Sequence, residues 1–301
     1  MKSFIKFFSG IRGMMDEIVV FAVLAVAAYA DLRTREVPDW LNYGLISAGL
    51  GFALIKSIVF WDYWLLVYSL AGLAVFVGLA YLMFYTAQWG GGDSKLLMGL
   101  GAMFGFKFSL SAPFVDFGQM IAAFLVNLLF VAVVYGFLWS VGLAVVKRKL
   151  FVPKFAEYLR RFRMARFAVL GLAVLGLFFL FFSDNFYVKF SVASLVLIGF
   201  TTFYLWLFVK SVENSCMFKR VSPEELTEGD WVAEDIIAGK RRVCSKKDLG
   251  ISREQIDALL GLKKQGKIKK VLIKEGIPFV PSFLIAFIIS FLFGNVILFF
   301  V

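Results

Sequence analysis

Two aspartates have surroundings that set them apart from the other acidic residues. Asp31 ends a long apolar run and opens the segment Asp31-Leu-Arg-Thr-Arg-Glu-Val-Pro38, and Asp93 lies in Gly90-Gly-Gly-Asp93-Ser-Lys95. An ionisable group at or within a membrane span is costly, so its presence indicates a function. Two carboxyl groups that share a low-dielectric site cannot both ionise cheaply, so one keeps its proton while the other acts as a base. Such a pair can activate water against a peptide carbonyl.

The remaining composition excludes most other catalytic chemistries. The chain has no histidine, which excludes a Ser-His-Asp triad, a Cys-His pair and an HExxH zinc site. Cys216 and Cys244 are the only cysteines, too few for a disulfide framework or a four-cysteine zinc site. We predict neither a metal nor a cofactor.

The elements that must position these aspartates are membrane helices. Hydrophobic residues make up 61% of the 301 residues, against about 45–50% in ordinary soluble domains. A membrane-spanning helix needs about 20 mostly apolar residues, and the chain offers such runs repeatedly. We predict an all-α polytopic membrane protein whose eight spans cover roughly 17–33, 40–60, 64–87, 94–112, 116–146, 167–183, 187–210 and 279–301.

The distribution of basic residues predicts how these helices are oriented. If the first helix runs from outside to inside, most of the 32 Lys and Arg residues fall in cytoplasmic loops, chiefly 147–166 and 210–278. Asp31 and Asp93 then lie at the same cytoplasmic depth. The net charge of +11 favours contact with the headgroups of the lipid bilayer, so we predict no nucleic-acid partner.

A small α+β cytoplasmic domain is predicted at 211–277, between a membrane-embedded catalytic core (1–210) and a C-terminal transmembrane helix (278–301). Two segments have the residues of helix starts, Ser222-Pro-Glu-Glu225 and Ser252-Arg-Glu-Gln255. Short β-branched stretches predict strands at Trp231–Ile236, Arg242–Ser245 and Lys270–Ile273.

The N-terminus allows two interpretations. Basic residues interleaved with apolar ones before residue 12 favour a short amphipathic helix at the membrane interface. The apolar run Ile18–Ala28, followed by Ala28-Tyr29-Ala30, resembles a secretory signal peptide. Asp16 and Glu17 directly before that run are unusual for a signal, and cleavage would detach the helix that precedes Asp31.

Residues around the aspartates are candidates for substrate binding. Gly90, Gly91 and Gly92 permit a close backbone approach to an extended substrate. Lys95 is a candidate either to hold an aspartate ionised or to contact lipid headgroups. Purely structural interpretations also exist, since Asp93 at a helix start complements the helix dipole, and Asp31 beside two arginines suits a solvated interface.

These motifs resemble those of the type IV prepilin and archaeal preflagellin peptidases, the GxGD aspartyl proteases that process class III signal peptides. One family motif matches Asp31-Leu32 with Val37-Pro38, and the other, GxGDxK, matches Gly90 to Lys95. In the C-terminal part, Glu228-Gly-Asp230, Gly276-Ile-Pro278-Phe and Pro281-Ser-Phe-Leu resemble the archaeal branch.

The resemblance implies an endopeptidase of the plasma membrane that cleaves pilin- or flagellin-like precursors at the cytoplasmic face. Asp31 and Asp93 would be catalytic, and Glu36 and Asp39 would receive the basic residue of the leader peptide. The chain lacks the paired CxxC zinc loop of the bacterial enzymes, so methyltransferase activity is not supported. We predict eight spans for this chain, whereas the archaeal preflagellin peptidases have six.

Two other functions remain open at this stage. A presenilin-like protease would cut within transmembrane helices, although the Pro-Ala-Leu element of that group is present only as Pro281-Ser-Phe. A transporter would use the aspartate pair to relay protons or ions. Transporters commonly contain repeated halves with matching broken helices, and no second glycine-rich break pairs with 90–92.

Overall fold

The computed structural model describes residues 2–86, 88–107, 120–182, 184–238, 241–246, 248 and 250–299. Helices account for most of this part of the chain. They are α1 (Lys2–Thr34), α2 (Asp39–Phe60), α3 (Trp64–Tyr85), α4 (Gly91–Phe104), α5 (Met120–Val146), α6 (Arg148–Arg161), α7 (Arg163–Phe179), α8 (Phe186–Cys216), α9 (Arg253–Lys264) and α10 (Val280–Phe293). The strands are β1 (Phe218–Val221), β2 (Trp231–Val232), β3 (Ile236–Ala238), β4 (Arg241–Cys244) and β5 (Val271–Lys274).

Contacts divide the chain into two compact units. The first comprises Met1–Gly136 and Gly276–Val301, and therefore holds α1 to α4, most of α5, and α10. The second comprises Phe137–Glu275, with the end of α5, α6 to α9 and all five strands. Both candidate aspartates lie in the first unit.

Small residues let α4 pack closely between α2 and α3. A Cβ atom built on Gly101 would lie 2.5 Å from the carbonyl oxygen of Gly72, and one on Gly49 would lie 2.8 Å from the carbonyl carbon of Ala102. Membrane helices commonly associate through such small-residue faces, because the backbones can then approach closely.

The length of α4 differs from the prediction. The span predicted at 94–112 ends at Phe104, because Gly105 takes a left-handed φ of +64° and its N–H bonds the carbonyl of Gly101. This geometry terminates a helix and favours glycine. Residues 108–112 of the predicted span lie outside the described residues.

Four described helices, α2, α3, α5 and α8, are long and apolar enough to cross a membrane. The bent pair of α6 and α7 raises this number to five if it counts as one span, and α10 is a shorter apolar helix. A helix therefore lies in each predicted span, while the number of crossings stays a prediction. α1 runs without a break from Lys2, so the predicted interfacial segment and the first span belong to one helix.

The region predicted as a soluble domain contains a small sheet covered by one helix. Strands β1 and β2 both pair antiparallel with β5, and β3 pairs with β4 as a separate hairpin. The Ser252 side chain and Gln255 form a complete capping box at α9, as their spacing predicts. The start predicted at Ser222 leads only to a three-residue 3-10 helix, and the strand predicted at Trp231–Ile236 is interrupted between β2 and β3.

Candidate active site

Asp31 lies in the last turn of α1 and is 5% exposed. The helix ends just beyond it, where Arg35 takes a left-handed φ of +63° while its N–H still bonds the carbonyl of Asp31 at 3.0 Å. Pro38 disfavours a helical conformation at Val37, so the chain leaves the helix here and turns into α2. The local sequence therefore places a buried carboxylate beside a helix end.

The start of α10 holds the Asp31 carboxylate. The Val280 N–H donates a hydrogen bond of 2.9 Å to its Oδ2 atom. Val280 is the first residue of α10, and the N–H groups of a first helical turn have no partner within their own helix. They carry partial positive charge, which favours an anion. Asp31 thus meets a donor that is distant in sequence.

Asp93 occupies the first turn of α4, three positions after the N-cap residue Gly90. Its carboxyl group accepts a hydrogen bond from the Gly90 N–H, and the Ser94 N–H bonds the Gly90 carbonyl at 3.1 Å. This arrangement resembles a capping interaction, which is the structural alternative that the sequence left open. It also holds the carboxyl group at the helix start, partly buried.

The two motifs lie against each other. A Cβ atom on Gly92 would lie 3.2 Å from the Cβ of Val37, which is tighter than an ordinary contact. Trp89, just before the glycines, contacts the rings of Phe279 and Phe283 at 5.3 and 5.4 Å between centroids, at the start of α10. The Asp31 charge acts on the Asp93 carboxyl group. The structure therefore brings the two aspartates into one polar site.

Two predicted substrate-binding residues pair with each other. The Lys95 ammonium donates to Asp39 at 2.7 Å and lies 5.5 Å from the centre of the Tyr43 ring. The Asp39 side chain is 62% exposed, so the pair lies on the surface between α2 and α4. Glu36 is exposed as well. Lys95 is thus bound to Asp39 rather than to either candidate catalytic residue.

The glycines before Asp93 differ in their surroundings. Gly90 is exposed, and a Cβ atom on it would lie 3.7 Å from the Asp93 carboxylate. A Cβ atom on Gly91 would touch only the Phe84 ring, at 3.8 Å. Gly92 alone needs the absence of a side chain for close packing, because Val37 occupies that space. At Gly90 and Gly91 an added Cβ atom would make only ordinary contacts, so close packing does not require glycine there.

One residue of the site was not found from the sequence. Val280 acts through its backbone N–H, which donates to Asp31. A backbone group carries no sequence signal, apart from the following Pro281 at a helix start.

Among the described residues, no three His, Cys, Asp or Glu side chains cluster as ligands for a metal ion would. The chemical feature of this site is the pair of carboxyl groups, Asp31 and Asp93. The fold and the site define a helical membrane protein with an aspartate pair at the adjoining ends of α1 and α4.

The region that holds the candidate site is similar to a known protein family. Residues 18–141, which include both aspartates, match the sequence model of the type IV leader peptidase family. This segment is therefore similar to the type IV leader peptidase family.

Named relatives are archaeal. The chain is similar to the preflagellin peptidases of Methanococcus maripaludis, at 38% identity, and of Methanocaldococcus jannaschii, at 34%, in each case over 90 residues that make up 30% of this chain. It spans 39% and 38% of the lengths of these two relatives. The prepilin peptidase EppA of Methanothermobacter thermautotrophicus is 22% identical over 92% of this chain and 94% of its own length.

Proposed function

We propose that this protein is a membrane aspartyl endopeptidase that removes class III signal peptides from pilin- or flagellin-like precursors at the cytoplasmic membrane face. The observation that carries the proposal is the convergence of Asp31 and Asp93, with Val37 packed on Gly92. The two carboxyl groups come from segments that match the motifs of this family. The named relatives, preflagellin and prepilin peptidases, support the same substrate class.

In the proposed reaction the two carboxyl groups share one proton and a water molecule. The ionised carboxylate takes a proton from the water as its oxygen attacks the scissile carbonyl, and the protonated carboxyl group donates to the carbonyl oxygen. Collapse of the tetrahedral intermediate breaks the C–N bond, and the leaving nitrogen takes a proton from the pair. The aspartates titrate as a unit, so the base is not assigned to one of them.

The neighbouring residues suit an extended substrate. Gly90 and Gly91 leave backbone groups accessible beside Asp93, and a peptide bond must leave its helix before water can reach it. Glu36 is an exposed acidic side chain close in sequence to Asp31 and can attract a basic residue of a leader peptide. Asp39 already pairs with Lys95, so a basic leader residue must compete with that lysine.

Co-expression with a pilin-like precursor tests the proposal. The variants Asp31→Asn and Asp93→Asn should each abolish cleavage while the protein still accumulates in the membrane, because neither amide can carry the shared proton. Asp62→Asn is the matched control. Asp62 lies between α2 and α3, where its side chain accepts the Trp64 N–H at 3.1 Å, and asparagine can accept the same bond. Full cleavage by either active-site variant would refute the proposal.

The position of the cut separates this proposal from the presenilin-like alternative. Mass spectrometry of the product should place the cleaved bond just before the apolar N-terminal helix of the precursor, and a cut within that helix would favour the alternative. Proton flux in liposomes that is lost in the aspartate variants, without any cleavage, would favour a transporter.

The cytoplasmic orientation needs its own experiment. A Glu36→Cys variant presents an exposed thiol beside the site, whereas the native cysteines Cys216 and Cys244 are buried. An impermeant maleimide should label it in inverted membrane vesicles and not in intact cells. Labelling in intact cells would show that residue 36 faces the outside of the cell, contrary to the proposed orientation.

A further inference from the structure

The backbone at Arg35 indicates that its side chain has a role. Arg35 follows the last turn of α1 with a φ of +63°, a left-handed conformation that residues other than glycine rarely adopt. Among the described residues other than glycine, only Trp61 also has a positive φ. Glycine would take this conformation without strain. Strained residues persist where the surrounding contacts hold them, often beside active sites.

The guanidinium of Arg35 reaches the segment that leads into α10. Its Nη1 atom donates to the carbonyl of Gly276 at 3.4 Å, across 241 positions of the chain. Gly276 lies four residues before Val280, whose N–H donates to the Asp31 carboxylate. Arg35 therefore joins the end of α1 to the entry of the helix that holds Asp31.

Arg33, two positions earlier, makes a different contact. Its side chain is exposed and donates to the Tyr29 hydroxyl at 2.9 Å, one turn back on the same helix. Arg35, by contrast, is half-buried. The two arginines carry the same charge at almost the same place in the sequence, so Arg33 provides a matched control for the contact that Arg35 makes.

The contacts around Asp31 form a closed ring. The backbone N–H of Arg35 bonds the Asp31 carbonyl at 3.0 Å, and the Arg35 side chain bonds Gly276. The chain then runs from Gly276 to Val280, which returns to the Asp31 carboxylate at 2.9 Å. This segment includes Pro278, which is buried and whose ring fixes its φ. Because the segment is stiff, the position of the Gly276 carbonyl constrains that of the Val280 N–H.

We propose that Arg35 is a positioning residue for Asp31. Its guanidinium holds the Gly276 carbonyl, so that the Val280 N–H stays directed at the aspartate. An arginine stays charged and presents its N–H groups in a fixed plane, which suits it to hold a carbonyl in one direction. The inference rests on the proposed peptidase function, in which misplacement of a catalytic group by about 1 Å can lower the rate by about 10²-fold. Arg35 acts through this geometry and takes no part in proton transfer.

Steady-state cleavage by purified variants of the full chain tests this role. In Arg35→Met the backbone strain remains while the donor is lost, and kcat should fall at least tenfold with KM nearly unchanged, because the groups proposed to bind substrate are kept. Arg35→Lys retains a charged donor and should recover part of the rate. Arg33→Met is the matched control and should cleave at close to the wild-type rate. A kcat for Arg35→Met within twofold of wild type would overturn the inference.

A second variant applies if Arg35→Met does not accumulate. Arg35→Gly relieves the strain of the positive φ, so its Tm should be unchanged or higher than that of the wild-type protein. Its cleavage should nevertheless fall as in the methionine variant. A stable glycine variant that cleaves as the wild-type protein does would overturn the inference, because residue 35 would then serve only to end the helix.

Hydrogen exchange measures the held amide without reference to catalysis. Pro278 and Pro281 carry no amide hydrogen, so a peptide over 277–281 contains few exchanging amides, Val280 among them. This peptide should be protected in the wild-type protein and in Arg33→Met. In Arg35→Met and Arg35→Gly it should exchange at least tenfold faster. Equal protection in all four proteins would overturn the inference.

The two proposals can fail separately. Full cleavage by Asp31→Asn would refute the peptidase mechanism, whereas faster exchange at 277–281 in the Arg35 variants would still support the hold on Val280. Loss of cleavage in Asp31→Asn, together with unchanged exchange in the Arg35 variants, would support the mechanism and overturn the role of Arg35.

Discussion

The backbone N–H of Val280 donates a 2.9 Å hydrogen bond to the carboxylate of Asp31, although 249 positions separate the two residues. The last long helix of the chain thus completes the environment of a residue on the first. Removal of α10 would leave Asp31 without this donor and Trp89 without its contact with the Phe283 ring. The candidate site therefore depends on the C-terminal helix, which lies outside the segment that matches the family.

The contact between Gly92 and Val37 predicts a sensitive position. In Gly92→Ala the new methyl group must displace Val37, whose Cβ and backbone N would lie at 3.2 and 3.3 Å. Such overpacking typically costs about 1–3 kcal/mol, and here it would move the two motifs apart. We expect cleavage to fall at least tenfold. Gly51→Ala, with nothing within 4 Å of the added atom, should cleave at close to the wild-type rate.

Packing between α3 and α4 predicts a change in stability. In Gly101→Ala a methyl group would lie 2.5 Å from the Gly72 carbonyl oxygen, and backbone cannot yield as a flexible side chain would. Thermal unfolding in detergent should show a lowered Tm. Gly78→Ala adds its methyl group in open space on α3, and the loss of chain entropy in the unfolded state should make it neutral or slightly stabilising. Equal Tm values for the two variants would contradict this packing.

Because Lys95 and Asp39 form an ion pair, we expect their substitutions to have coupled effects on cleavage and little effect on stability. Both side chains are partly exposed, so the pair contributes about 0–1 kcal/mol to folding. If it holds the starts of α2 and α4 together, Lys95→Gln and Asp39→Asn should lower cleavage to similar extents. The double variant should be no worse than either single one, and additive losses would show that the two residues act independently.

The carboxylate of Glu224 predicts how the stability of the sheet region depends on pH. Hydrogen bonds from Lys263, at 2.5 Å, and from Ser222 lower its pKa to about 2. Between about pH 4.5 and 2 the unfolded chain binds the proton that the folded chain does not, so stability must fall as the pH falls through this range. Hydrogen exchange in β1 and α9 should accelerate there. Glu224→Gln should remove that part of the pH dependence.

Burial of Cys244 predicts a thiol that does not react. Its side chain is 1% exposed, and burial, assisted by the Asp248 charge, raises the pKa of the thiol to about 11. The reactive thiolate is therefore scarce at pH 8, and maleimide should not label Cys244 in the folded protein. Lys246→Cys, two positions away and exposed, should label quickly under the same conditions. Rapid labelling of Cys244 would contradict the packing of this region.

Features with a local physical cause could be predicted from the sequence. The capping box at Ser252 depends on residues three positions apart, and the apolar runs coincide with helices because hydrophobicity and length are properties of a contiguous segment. Both aspartate motifs were recognised because their residues are neighbours in the chain. The match over 18–141 confirms the resemblance to this family, while the catalytic roles of the aspartates stay predictions.

Contacts between residues far apart in the chain could not be predicted, because no local sequence pattern marks them. Strand β1 was missed because it has only four residues, and its position follows from its pairing with β5. Lys95 was considered as a partner of a catalytic aspartate or of lipid headgroups, but the packing of α2 beside α4 pairs it with Asp39. The end of α4 at Phe104 depends on the positive φ of Gly105, which a glycine permits but does not require.

The sequence by itself determined the chemistry that is available, since it contains no histidine and only two cysteines, and it placed Asp31 and Asp93 at the ends of apolar segments. The tertiary structure decided which groups surround them. Val280 comes from a helix far along the chain, and its approach to Asp31 depends on how side chains of several helices fit together. Composition and spacing are local properties of a sequence, whereas this fit arises only when the helices pack.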